Sequence, residues 1–153
     1  MICIISWMLI AIIIPQLQCI TVDVEFYTPE DYVCMEKAEI DKNYVDDHVF
    51  ANASVARGDD KFDVYMECWG QGMKLFDENF AMVPATWKHY ITTMIFKYYG
   101  IMDDPNKDEM VDTAVDKCKR LKTGRNNGDI VIQALNCIKL FFYKYSKEGH
   151  IEL

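Results

Sequence analysis

The chain is poor in residues that interrupt helices, with seven glycines and four prolines in 153 residues. It contains no internal repeat, no low-complexity stretch and no long linker. Lys/Arg blocks and basic-aromatic stripes are missing too, and the net charge of −8 repels phosphates. Nucleic acid and anionic membrane are therefore excluded as main partners. Catalytic spacings are absent: HExxH, GxSxG and CxxC do not occur, and His48, His89 and His150 are scattered. Gly70-Gln71-Gly72 lacks the third glycine of a dinucleotide loop. A calcium loop counted from Asp104 would place Glu109 at the sixth position, where glycine is needed, and Val115 at the twelfth. No enzyme, cofactor or metal is expected.

The first 19 residues carry no charged side chain, and Pro15 breaks their apolar run. That run is shorter than the roughly 20 residues a bilayer-spanning helix needs. It reads as a cleaved secretory signal over residues 1–19, with cleavage near 19–21, although the usual N-terminal Lys or Arg is missing. Residues 20–153 then form a single domain, with no stable membrane insertion. Half of all residues are hydrophobic, enough for a modest core.

Cleavage changes the cysteine arithmetic. Cys3 and Cys19 go with the signal, leaving Cys34, Cys68, Cys118 and Cys137. An even count in a short secreted chain implies a disulfide framework, and three pairings are open.

Apolar periodicity and caps predict six helices and no strand, an all-α fold. The first opens at Thr28-Pro29-Glu30-Asp31 and runs toward Ala38. The second covers roughly 46–55. The third spans about 61–76, with Phe62, Met66, Trp69, Met73 and Phe76 on one stripe. Gly70 and Gly72 inside it cost roughly 1 kcal/mol each relative to alanine, consistent with close packing or with an end near Gly72. The fourth begins near Pro84 and stops at Gly100, the fifth runs from about 104–106 to Gly124, and the sixth from Asp129 to Gly149.

The cysteine spacing resembles that of the insect odorant-binding proteins. Those typically have six cysteines, with three residues between the second and third and eight between the fifth and sixth. Cys34, Cys68, Cys118 and Cys137 align with the first, third, fourth and sixth. The second position is then Val64 and the fifth Gly128, and these two are bridge partners in the family. Random loss of two cysteines from six would remove a matched pair about one time in five. The pattern is similar to the C-minus branch, and the text from Tyr65 to Glu78 resembles the family stretch around its third cysteine. The Cys68–Cys118 segment is longer than usual, with the excess expected around 98–107.

The resemblance implies bridges Cys34–Cys68 and Cys118–Cys137, and six helices around an apolar cavity. It also implies a secreted, extracellular carrier of small hydrophobic ligands such as odorants or pheromones, with a membrane receptor downstream and release as pH falls. Candidate cavity residues are Met66, Trp69, Met73, Trp87, Ile91, Met94, Leu135 and Phe142; methionine suits an adaptable apolar wall. Two rivals are a salivary or venom-type scavenger of biogenic amines or lipids on the same fold, and a secreted interaction module without a cavity.

Three short motifs remain. Asn52-Ala53-Ser54 is a glycosylation sequon. Arg57-Gly58-Asp59 spells an integrin-binding tripeptide, though Gly-Asp is also an ordinary turn. His150-Ile151-Glu152-Leu153 resembles an ER-retrieval tetrapeptide with an atypical second position.

Overall fold

A computed structural model describes residues 26–50, 54–121 and 123–148. The expected signal with Cys3 and Cys19, the sequon asparagine Asn52 and the C-terminal tetrapeptide lie outside the described residues.

Six helices account for the regular structure among the described residues. They are α1 Pro29–Ala38, α2 Lys42–Val49, α3 Asp60–Gly72, α4 (Pro84–Tyr90, a π-helical turn Ile91–Ile95 and Phe96–Tyr99, continuous), α5 Lys107–Cys118 and α6 Asn127–Glu148. An isolated antiparallel bridge joins Phe76 and Met82. The all-α class with six helices is as the periodicity predicted.

Local chemistry sets the helix starts. Asp31 accepts the Thr28 N–H at 2.7 Å, satisfying an N-terminal donor of α1, and Pro29 supplies a preset φ at the first helical position. Asp41 caps α2 by accepting from the Tyr44 N–H, and Asp59 caps α3 by accepting from Phe62. The second helix was expected over 46–55. The Asp41 cap moves it earlier, and Val55 instead pairs its N–H and carbonyl with the Asn136 side chain.

The third helix stops at Gly72, four residues short of Phe76. Lys74 adopts a left-handed backbone, at φ 55°, so Leu75 and Phe76 reach the core from a loop. The fifth helix starts and ends inside its expected limits, since Asp104 binds the Asn106 N–H in a turn before it and Cys118 is its last residue. Gly100 stops α4 in the left-handed region, at φ 68°, where its missing Cβ removes the usual penalty.

The long helix α6 packs against α3 and α5, and α1 lies on α3. Phe62, Met66, Trp87, Phe96, Met110, Ile132, Ile138 and Phe142 are fully buried between these elements. Two disulfides tie the layers. Cys34–Cys68 joins α1 to α3, with Cα atoms 5.6 Å apart, and Cys118–Cys137 joins the end of α5 to α6, at 5.8 Å. This is the pairing that the family resemblance implied.

Candidate ligand cavity

Two small cavities adjoin inside the helical shell. The first, of about 30 Å³, lies between the start of α1 and helices α2, α3, α4 and α6. Its walls include Met66, Trp69, Tyr65 and Asp31. The second, of about 40 Å³, is bounded by Ile95, Lys139 and the exposed Tyr98. Phe26, Val49, Phe50, Tyr90, Met94 and Leu135 line both and form the shared partition.

Helix geometry explains this convergence. Val45 and Val49 are four apart on α2, as are Leu135 and Lys139 on α6, so each pair shares a helix face. In α4 the π-helical turn changes the side-chain phase between Tyr90 and Ile95. Thr92 and Thr93 sit in that turn and donate their hydroxyls to the His89 carbonyl, at 2.9 and 2.8 Å. Such back-bonding competes with the regular backbone ladder. The result places Tyr90, Met94 and Ile95 on the cavity side together.

Of the eight cavity residues proposed from sequence, Met66, Trp69, Met94 and Leu135 come together here. The other four line neither cavity. Met73 is half-buried and its sulfur receives the Thr28 hydroxyl at 3.6 Å. Trp87 sits edge-on to Phe76 and Tyr90, Phe142 sits edge-on to Phe96, and Ile91 is fully buried.

The tyrosines and the lysine of the wall were not foreseen. Trp69 and Tyr90 meet edge-to-face at 5.4 Å, a favourable aromatic geometry. Phe26, Phe50 and Tyr98 form the outer wall: Tyr98 lies 5.9 Å from Phe26 and 5.7 Å from Phe50, ring centre to ring centre.

The carboxylates at the inner wall are matched by protein donors. Asp31 accepts from the Tyr65 hydroxyl at 2.5 Å as well as from the Thr28 N–H. Burial, followed by the nearby Asp31 charge, pushes the Tyr65 phenol far up, so it stays a neutral donor. Asp46, buried beside this wall, accepts from the Tyr27 hydroxyl and from Lys42 at 2.7 Å.

Lys139 differs. It is 3% exposed, and burial alone pulls its ammonium down to about 8. Its Nζ donates to the Val49 carbonyl and lies 5.9 Å from the ring centres of both Phe50 and Tyr98. All three of these neighbours line the second cavity, so the ammonium sits at that cavity's wall. Among the described residues no carboxylate pairs with it.

The Arg57-Gly58-Asp59 tripeptide is committed elsewhere. Arg57 makes two bonds to the buried Asp129 carboxylate, at 2.8 and 2.9 Å. Asp59 caps α3 and accepts the Tyr44 hydroxyl at 2.5 Å. Both charged groups therefore serve the fold. Among the described residues no His/Cys/Asp/Glu group could hold a metal ion, and no helix is long and apolar enough to cross a membrane.

No protein-family model, curated protein or solved structure matches this chain. The likeness to odorant-binding proteins rests on the cysteine pattern, with the helix count and bridge pairing alongside it.

Proposed function

We propose that the protein is a secreted carrier that binds small hydrophobic molecules reversibly and performs no chemistry on them. The observation that carries this reading is the pair of adjoining cavities, walled largely by methionine, leucine and aromatic side chains within a disulfide-bridged helical fold. Burial of an apolar ligand there supplies the driving force, about 25 cal/mol per Å² removed from water.

The cavities as they stand have room for only a few waters each, since one water needs on the order of 10–15 Å³. A carried molecule needs several hundred Å³, in the range of roughly 300–1,000. Binding therefore moves the partition and outer wall, where Met94, Phe26 and Phe50 are only half-buried. Met94 has an unbranched, adaptable side chain suited to that. Two bridges preserve the frame while the wall moves, and they match the oxidising compartment in which secreted proteins fold.

The tight interior also favours one rival, a helical interaction module with no usable cavity. The amine-scavenger reading gains no support from the wall, because Asp31 and Asp46 are already satisfied by protein donors. Competitive displacement of a fluorescent apolar probe from the oxidised protein tests the proposal. Micromolar displacement by apolar molecules supports the carrier, selective displacement by amines supports the scavenger, and a folded protein that binds no probe supports the interaction module.

A further inference from the structure

We propose that Lys139 is the polar anchor of the ligand site, and that the site takes linear monocarboxylates with an apolar tail, with the carboxylate against the Lys139 ammonium. The inference rests on the carrier reading and names the ligand class for the same cavity.

The argument begins with an imbalance. A lysine at 3% exposure is rare unless paired, because burying a charge is costly without a partner of opposite sign. Lys139 has a backbone carbonyl and two ring faces around it, and no carboxylate among the described residues. These contacts use one of its three N–H donors fully. The remaining donors belong to a group that forms part of the second cavity's wall. An incoming carboxylate would accept from them and neutralise the buried charge in one step, as charge-assisted bonds are the stronger kind.

The rest of the cavity fixes the ligand's direction. Asp31, on the far wall of the first cavity, repels a carboxylate and has its donors in place already. The other titratable side chains lining the two cavities are the phenols Tyr27, Tyr65, Tyr90 and Tyr98, all raised by burial and so neutral. The acid group therefore belongs in the outer compartment beside Lys139. The tail runs past Leu135, Met94 and the Tyr90 ring toward Met66 and Trp69, along the most apolar stretch of the walls. Two compartments in series favour an extended chain over a compact ring system.

The test uses the oxidised protein and N-phenyl-1-naphthylamine as the probe, displaced by dodecanoic acid or by dodecanol at neutral pH. The acid is expected to bind at least about tenfold more tightly than the alcohol, in line with a charge-assisted bond. Lys139→Met, which keeps length and removes charge, is expected to bring the two within about twofold while probe and dodecanol still bind. If Lys139→Met does not fold, the carboxyl carbon of labelled dodecanoic acid bound to the unaltered protein is followed by NMR as pH falls. Pairing with Lys139 keeps that carboxyl ionised to lower pH than in the free acid, and an unchanged or raised titration midpoint overturns the proposal. Probe binding with equal affinity for acid and alcohol overturns the anchor and leaves the carrier reading intact, and so does an acid preference that survives in Lys139→Met. Absence of probe binding overturns both.

Discussion

A Cβ added to Gly128 would lie 2.0 Å from the backbone oxygen of Asp63, so the start of α6 rests directly on the α3 backbone. In the resemblance to odorant-binding proteins, Gly128 and Val64, beside Asp63, fall where that family carries a further bridge. The helices are held at this point by other means. The Asp63 carboxylate, 3% exposed, accepts from Arg125 at 2.6 Å and from Asn126 at 2.7 Å, and Asn127 donates to Glu67 at 3.0 Å. Close approach and a polar network hold the two helices together here.

Gly128→Ala is accordingly expected to destabilise the fold by about 2–3 kcal/mol, because the new methyl group meets backbone that cannot swing aside. Urea unfolding of the oxidised variant measures it. A loss below about 0.5 kcal/mol, typical of an open surface site, would show that the two helices are not in contact there.

Removing either disulfide should cost about 3–4 kcal/mol in the loop-entropy model, with the 34-residue Cys34–Cys68 separation slightly ahead of the 19-residue Cys118–Cys137 separation. Paired Cys→Ala variants, compared by denaturant midpoint, give the two values. The Cys34–Cys68 pair should also affect ligand binding more, since it joins α1 and α3, which carry Asp31, Met66 and Trp69 into the cavity wall.

Stability should also fall with acid through Asp129. Its bonds from Arg57 hold the carboxyl at about 2, against the usual 3.8. A carboxyl lowered on folding stabilises above its unfolded value and loses that contribution as pH falls from about 4 through 2. With Arg57 about half exposed, solvent screening limits the effect to about 1–2 kcal/mol. Asp129→Asn should flatten this part of the stability curve. An unchanged acid limb would mean that the pair contributes nothing.

Much of this architecture was legible in the sequence because it rests on local chemistry. Thr28-Pro29, Gly100 and the 3.6-residue stripes marked α1, the end of α4 and the body of α6. The cysteine pattern gave the pairing through a resemblance. Less was legible where a side chain acts at a distance. Asp41 and Asp46 both suit a helix start, and the choice of Asp41 shows only once Val55 reaches Asn136 across the fold. Lys74 offers no glycine or asparagine to announce its left-handed backbone. Lys139 reads as a solvated charge, although it falls four residues after Leu135 on a face that also carries Phe142. A charge inside an apolar stripe was the available signal. Phe26, Phe50 and Tyr98 lie far apart in sequence and only tertiary packing brings them together.

Filling the partition should block binding with little harm to the fold. Met94 lines both cavities yet is only half-buried, so Met94→Trp places its added bulk between the compartments without crowding the fully buried core. Probe affinity is expected to fall at least about tenfold, with the unfolding midpoint nearly unchanged. Unaltered affinity would place the bound probe elsewhere.

The most direct test of a ligand carried between these helices is methyl NMR on protein labelled at its methionine methyl groups, titrated with an apolar ligand. Met66 and Met94 line the cavity, whereas Met35 and Met110 are buried in the core and line neither compartment. Saturable shifts at Met66 and Met94, with Met35 and Met110 nearly still, are the predicted result. A ligand that leaves Met66 and Met94 unmoved at saturating concentration would contradict the account.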